Sequence, residues 1–118
     1  MGGPLSESKK SPFIPTPASA ALVAAFRALV VNDLYTMAPK ETVLRGYDYY
    51  QQQRLQHYVW GRDGATLTAQ VQGTSLYEVL FSLDEGFLSS FCDCPTWDFD
   101  WLCKHVLCAC FATKHLLS

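Results

Sequence analysis

Four potential metal ligands lie within fourteen consecutive residues near the end of the chain, in the arrangement Cys-x-Cys-x8-Cys-x-His. They are Cys92, Cys94, Cys103 and His105. Side chains two residues apart in extended backbone point to the same side, so each half of the array can present both ligands to one ion. Three thiolates and one imidazole complete a tetrahedral shell for Zn²⁺ and leave no open position. The pattern therefore predicts a structural zinc site.

Three other uses of cysteine fit the array less well. The five cysteines all lie between Cys92 and Cys110, whereas a disulfide framework would spread an even number through a secreted fold. A Cys–His nucleophile needs one activated thiol and not three converging thiols. A redox site more typically has Cys-x-x-Cys at the start of a helix. Thiol catalysis and redox chemistry stay as alternatives to zinc.

The two remaining cysteines, Cys108 and Cys110, lie in an apolar run. Free cysteine usually behaves as a small buried hydrophobe, so both are predicted to fill the core. Cys108 follows His105 by three residues on the same helical face, which makes it the substitute ligand if His105 is not one. His57 and His115 stand alone, and neither is assigned a role.

Hydrophobic periodicity predicts an α+β fold, a small antiparallel β meander with N-terminal helices and a C-terminal helix joined through the zinc site. A first helix is expected to start at Thr16-Pro17 and run to about Val31, and a second to span roughly 41–54. Strict alternation and turn residues then predict four strands, at about 56–62, 65–72, 77–83 and 88–92. The last helix begins at Cys103, with His105 in its first turn.

The 118 residues make one domain, divided into a flexible tail (1–15), a helix and its connection (16–40) and the zinc-binding part (41–118). The apolar run from Ala18 to Val31 is interrupted by Arg27 and falls on one helical stripe, which favours a core helix over a signal peptide. No stretch reaches membrane-spanning length. Reduced thiols and the absent export signal predict a cytoplasmic protein. The abrupt end at Leu117-Ser118 predicts a fragment, or a helix that docks on a partner.

The charge balance disfavours nucleic-acid binding by this segment alone. The formal net charge is −2, and Zn²⁺ on three thiolates adds a further −1, giving about −3. A domain that grips phosphates normally carries a basic face, and the sequence shows none. Nucleic acid is therefore expected to be an electrostatically weak partner.

Three sequence pieces together resemble a SWIM zinc finger. The first is the metal array itself, with the Cys103-Lys-His105 spelling ahead of an apolar helix. The second is Arg45-Gly-Tyr-Asp-Tyr49, which is similar to the family's R-G-x-x-Y helix. The third is Val71-Gln-Gly-Thr-Ser-Leu-Tyr-Glu-Val79, which is similar to its V-x-G-[ST]-x-x-Y-x-V hairpin. The resemblance covers about residues 41–115.

The resemblance implies a zinc-stabilised interaction module without enzymatic activity, which contacts proteins or DNA. In bacteria such modules are similar to N-terminal segments of Swi/Snf-type helicase-like ATPases, so the expected partner is another protein or an adjacent ATPase domain. The chain has no P-loop motif, and any ATPase would lie beyond Ser118. Direct DNA binding is the alternative function, followed by a Cys–His thiol enzyme.

The chain departs from the family pattern at two places. Gln53 stands where the family often has glycine after the tyrosine helix. The metal loop carries Asp98 and Asp100, which would repel a phosphate backbone and weaken the DNA hypothesis. The two acids alternate with three aromatic residues, Trp97, Phe99 and Trp101. They either form a partner-binding surface or fold over the zinc to exclude water.

Overall fold

A four-stranded antiparallel meander with helices before and after it confirms the predicted α+β fold. The computed structural model describes residues 17–97 and 101–117, so the predicted tail at 1–15 lies outside the described residues. Neighbouring strands in the sheet follow the order β1-β2-β3-β4. The elements are a 3₁₀ turn (Pro17–Ser19), α1 (Ala20–Ala28), α2 (Val31–Leu34), α3 (Lys40–Gln51), β1 (Leu55–Trp60), β2 (Thr66–Gln72), β3 (Leu76–Asp84), β4 (Phe87–Cys92) and α4 (Lys104–Leu117).

The predicted alternation along the strands decides which face of the sheet is buried. Leu67, Ala69 and Val71 of β2 are fully buried, as expected for one apolar face. On β3 the same face carries Val79 and Phe81, which pair in register with Ala69 and Leu67. The core therefore lies on one side of the sheet, and the polar members of the alternation lie on the other.

Helices α1 and α4 cover the apolar face of the sheet. Phe26 of α1 is fully buried and meets Phe81 edge to face, with ring centroids 5.0 Å apart. Most of α4 is buried along its length. Because α1 packs on both α4 and the sheet, it shares one core with the rest of the protein.

The first helix ends earlier than predicted. It stops at Ala28, because Leu29 is extended with φ −74° and ψ 117°. The short helix α2 then begins, and the Asp33 carboxylate accepts the Val30 N–H at its start, at 3.2 Å. A side-chain acceptor at a helix start stabilises that start, so one predicted helix is divided into two. Within the described ranges, no helix combines the length and the apolar character needed to cross a bilayer.

Helix α3 lies close against α4 because Gly46 has no side chain. A Cβ placed on Gly46 would clash with the Leu107 Cβ and would lie 3.2 Å from the Lys104 carbonyl oxygen. At the end of α3 the backbone of Gln53 is left-handed, with φ 58°. Glycine is favoured in this conformation after a helix, so Gln53 ends α3 with some strain.

Candidate metal centre

The end of β4 positions the first two cysteines of the array. Cys92 is the last residue of β4 and pairs with Val79 of β3. Pairing continues one residue further, because the Asp93 N–H donates to the Glu78 carbonyl at 3.2 Å and the Asp93 carboxylate accepts the Glu78 N–H at 2.9 Å. The chain then turns, and the Cys94 N–H donates to the Cys92 sulfur. This turn fixes both thiols at the end of the strand.

The start of α4 positions the other two side chains. Cys103 immediately precedes the helix, and its carbonyl accepts the Leu107 N–H at 3.1 Å. Its sulfur accepts the N–H of Val106, so Cys103 caps the helix as serine or aspartate commonly does. The preceding residue, Leu102, donates its N–H to the Met37 carbonyl at 2.9 Å. These contacts hold the second half of the array against the connection between α2 and α3.

The structure brings all four predicted side chains together. One potential ligand atom from each of Cys92, Cys94, Cys103 and His105 lies within 4.8 Å of the others, and all four residues are buried. The Nδ1 atom of His105 is 3.8 Å from the sulfurs of both Cys92 and Cys103. In a tetrahedral zinc site a sulfur and a nitrogen ligand lie about 3.5 Å apart, given Zn–S and Zn–N bonds of about 2.3 and 2.0 Å. The cluster therefore has the donor types and spacing to hold a metal ion.

The two nitrogens of His105 have different surroundings. Nδ1 faces the sulfurs, whereas Nε2 is buried without a hydrogen-bond partner among the described residues. A Cβ on Gly73 would lie 2.8 Å from Nε2, and the ring is flanked by Tyr77 and Tyr49 at centroid distances of 4.5 and 5.8 Å. The neighbours of Nε2 leave no room for an ion beside that atom, so Nδ1 is the atom placed to bind a metal.

The pKa values of two cluster thiols, Cys92 and Cys103, are shifted in opposite directions. A hydrogen bond from Cys92 lowers the pKa of Cys103 to about 4; burial opposes this effect, and the His105 side chain supports it. The same hydrogen bond, together with burial and the neighbouring sulfur charge, raises the pKa of Cys92 well above that of an ordinary thiol. Zinc binds thiolates and releases their protons. Protons held by the cluster thiols must therefore leave as an ion enters.

A hydroxyl group lies beside the third sulfur. The Thr96 Oγ1 is 3.4 Å from the Cys94 Sγ. When Cys94 is a thiolate, the hydroxyl is the only possible donor of this pair. Hydrogen bonds to ligating atoms orient them and adjust their basicity, so the Thr96 hydroxyl is placed to orient the Cys94 sulfur.

Cys108 and Cys110 lie in the core, as predicted, and outside the cluster. Both are buried, and all five cysteines are free thiols. Burial raises the pKa of each of these two thiols to about 12, so both stay neutral at ordinary pH. His57 is exposed on β1, and His115 is exposed on α4 with its ring 6.0 Å from that of Tyr50.

The aromatic residues of the metal loop are in different environments. Trp97 is half-buried and packs on Phe91, with ring centroids 4.9 Å apart. Trp101 is 49% exposed, and Phe99 lies outside the described residues. Thus Trp97 packs on the end of β4, whereas Trp101 presents its indole to solvent.

Sequence reasoning missed the two glycines that let other elements approach the cluster. Gly46 admits α3 to the first turn of α4, and Gly73 admits the β2–β3 turn to His105. Both glycines belong to the pieces that carried the family resemblance, Arg45–Tyr49 and Val71–Val79. The signal was present in the sequence, but the residue that each glycine faces could be found only in the folded chain.

A Cys₃His cluster between the end of a strand and the start of a helix defines a class of metal-binding module. Comparison with protein families agrees, because residues 77–114 match the SWIM zinc finger model. The matched segment contains all four clustered side chains. Comparisons of the chain with the curated proteins and with the solved structures find no significant match. The family match and the cluster together support a zinc-binding module.

Proposed function

We propose that the protein is a non-catalytic interaction module that is folded around one structural Zn²⁺. Its ligands are the sulfurs of Cys92, Cys94 and Cys103 and the Nδ1 atom of His105. The observation that carries this proposal is the convergence of four buried S/N donors within 4.8 Å. Four protein ligands fill a tetrahedral shell, which is typical of structural sites and not of catalytic ones.

The ion would supply free energy of folding by holding a strand and a helix together. It would link the end of β4 to the first turn of α4 across a loop. Structural zinc sites contribute on the order of 10 kcal/mol of apparent binding free energy at neutral pH. A small domain has a total stability of roughly 5–15 kcal/mol. Much of the stability of the module would therefore depend on zinc.

Zinc content and chelation test this function. One Zn²⁺ per chain is expected in the purified protein, and its removal should lower the thermal midpoint and melt at least the region from Cys92 onward. An unchanged melting curve after verified removal of zinc would contradict the structural role. Thiol alkylation separates zinc binding from a Cys–His enzyme. Zinc should protect Cys92, Cys94 and Cys103, whereas an enzyme nucleophile would react in the native protein.

We further propose that the zinc finger proper spans 41–118 and that 16–40 is a helical segment packed onto it. Packing of α1 on α4 and on the sheet supports the placement of 16–40 against the zinc finger. The resemblance supports a place beside a Swi/Snf-type helicase-like ATPase in the cytoplasm. Reading the encoding gene beyond Ser118 tests the ATPase context. An in-frame P-loop motif is expected, and a stop codon directly after Ser118 would contradict a fused ATPase.

A further inference from the structure

The two edge strands of the sheet, β1 and β4, differ in how well they are protected from pairing with another chain. An edge strand presents unpaired N–H and C=O groups, and natural proteins commonly protect it with a bulge, a proline or charged side chains. The register of β1 is interrupted between Leu55 and His57. By contrast, β4 pairs with β3 in an unbroken register and contains neither proline nor a charged residue. The edge of β4 is therefore open to pairing with another strand.

Two residues of β4, Leu88 and Ser90, direct their backbone N–H and C=O groups to the free edge. Hydrogen-bonded positions alternate along an antiparallel pair, and the Asp93 N–H donates to the Glu78 carbonyl of β3 at 3.2 Å. By this alternation Leu88 and Ser90 face away from β3. Among the described residues, neither makes a backbone hydrogen bond outside the sheet. Their N–H and C=O groups are therefore available to a second strand.

The solvent-facing side of β4 carries two phenylalanines at equal distances from a serine. Phe87 is 76% exposed and Phe91 is 47% exposed, and Ser89 lies midway between them. The three side chains share one face because they are two residues apart. When two copies of β4 pair antiparallel about Ser89, Phe87 of each copy lies directly opposite Phe91 of the other. Aromatic pairs in this position stabilise a sheet, so the strand is complementary to itself.

The same register satisfies the free backbone groups. It places Leu88 of each copy opposite Ser90 of the other, where the two residues can exchange both hydrogen bonds. On the core side of β4, Ser90 lines an apolar depression of about 260 Å³ together with Leu29 and Met37. Leu88 of the second copy would point toward this depression, so both faces of the paired strands would gain apolar contacts.

We propose that β4 pairs with β4 of a second copy of the chain about a twofold axis at Ser89, which joins two four-stranded sheets into one. This inference deepens the proposed function, because it names a partner of the zinc-folded module and rests on that module being folded. With about 200 Å² for each phenylalanine, the exposed fractions leave about 500 Å² of phenylalanine surface to bury in the dimer. That is about half of the roughly 1,000 Å² that a specific interface buries, and the paired backbones and Leu88 add to it.

The charges near β4 predict how salt acts on the association. The carboxylates closest to the paired segment are those of Glu85 and Asp93. Asp93 is turned away from the free edge, because its carboxylate accepts the Glu78 N–H at 2.9 Å. Both copies have a formal net charge of −2, so added salt should screen their repulsion and strengthen the dimer. Weaker association at high salt would contradict self-pairing through an apolar strand.

Sedimentation velocity with the zinc-loaded full chain tests the inference. The mass should rise toward twice that of one chain as the concentration increases through the micromolar range. Ser89→Lys places like charges opposite each other at the axis and should weaken the dimer by about tenfold or more. Ser89→Glu should do the same, and mixing the two variants should restore association because opposite charges then meet. Val59→Lys is the matched control, because Val59 is exposed on the same face at the β1 edge.

Hydrogen exchange locates the contact at individual backbone groups. The N–H groups of Leu88 and Ser90 should exchange slowly in a concentrated sample and rapidly in a dilute one. Protection of both groups in a dilute, monomeric sample would overturn the inference, because another segment of the same chain would then hold the edge. Ser90→Pro removes one of these N–H groups without removing a bond to β3, and it should weaken the dimer while β3 and β4 stay paired.

Zinc content and circular dichroism, measured on every variant, separate this inference from the proposed function. A zinc-loaded, folded chain that stays monomeric at every concentration would overturn the pairing of β4 alone. A dimer that tolerates Ser89→Lys, or that Val59→Lys weakens equally, would have its contact elsewhere and would overturn it as well. A chain without zinc would instead overturn the proposed function.

Discussion

The first and last turns of α4 are held by different kinds of interaction. At the first turn, Cys103 and His105 meet Cys92 of β4 in the S/N cluster. At the last turn, Arg27 of α1 donates to the Leu117 carbonyl at 2.9 Å, and Lys114 donates to the Phe26 carbonyl at 3.1 Å. Each cation thus lies at the C-terminal end of the other helix, where cations are favoured. The contrast predicts that metal loss weakens the first turn of α4 before the last turn.

Loss of a sulfur ligand should cause the largest loss of stability, at the first turn of α4. Cys103→Ser is expected to abolish stoichiometric zinc and to remove a contribution on the order of 10 kcal/mol. Hydrogen exchange should show lost protection in the first turn of α4 before the centre of β2 and β3 is affected. Cys108→Ala is the control, because Cys108 is buried outside the cluster, and it should keep its zinc. Retention of one zinc ion per chain by Cys103→Ser would contradict the assigned ligand set.

Alkaline pH should weaken the middle of α4, between its two ends. Burial raises the pKa of Cys108 and Cys110 from the ordinary value of 9.0 to about 12. The unfolded chain therefore loses these protons at lower pH than the folded protein does. Their contribution to stability is complete below pH 9 and decreases as the pH rises toward 12. Denaturant unfolding across this window should give a smaller pH dependence for Cys110→Ala than for the parent chain. An identical pH dependence of unfolding in the two chains would show that folding does not raise the pKa of Cys110.

Crowding the contact between α3 and the first turn of α4 should have an intermediate effect. Gly46→Ala places a Cβ against Leu107, and overpacking of this kind costs about 1–3 kcal/mol. Competition with a chromophoric chelator should also show weaker zinc binding, because α3 supports the turn that carries His105. Leu44→Ala, at an exposed position on the same helix, should change neither property. Equal unfolding midpoints for Gly46→Ala and the parent chain would contradict the close approach of these helices.

Removal of the hydrogen bond at the last turn should have a smaller effect, confined to that end. Arg27→Gln deletes the charged donor to the Leu117 carbonyl, and a partly exposed interaction of this type contributes about 1 kcal/mol. The free energy of unfolding should decrease by this amount while zinc affinity stays unchanged. A simultaneous loss of zinc affinity would show that the two ends of α4 are coupled more tightly than their contacts indicate.

The smallest expected effect is a gain in stability at the end of α3. Gln53 has a left-handed backbone with φ 58°, and glycine adopts this conformation without steric strain. Gln53→Gly should therefore raise the free energy of unfolding by about 0.5–1 kcal/mol. Asp48→Gly is the control with the opposite sign, because Asp48 is exposed and lies inside α3, and glycine destabilises helix interiors. A loss of stability in both variants would contradict the strain assigned to Gln53.

The sequence predicted the features that depend on local spacing. The alternation of Leu67, Ala69 and Val71 identified the buried face of β2, and the Cys-x-Cys and Cys-x-His spacing identified side chains that the fold brings together. Both results follow from the period of extended backbone. The helix start after Cys103 could also be predicted, because the start of a helix depends on residues that are close together in the chain.

Features that depend on distant contacts could not be predicted from the sequence. The proposed use of Nδ1 on His105 rests on the position of Gly73, which is more than thirty residues away in the chain. Likewise, the charge count suggested no basic face, but folding brings Arg45 and Lys104 together. The net charge gives the sum of the charges in the chain and does not show where on the surface they lie.

X-ray absorption at the zinc edge of the purified chain tests the central claim most directly. Three sulfur atoms at about 2.3 Å and one nitrogen at about 2.0 Å are expected around each zinc ion, from Cys92, Cys94, Cys103 and His105. Outer-shell scattering from an imidazole ring should accompany the nitrogen. A shell of four sulfurs would replace His105 by another cysteine, and a shell of oxygen and nitrogen alone would contradict the structural zinc site altogether.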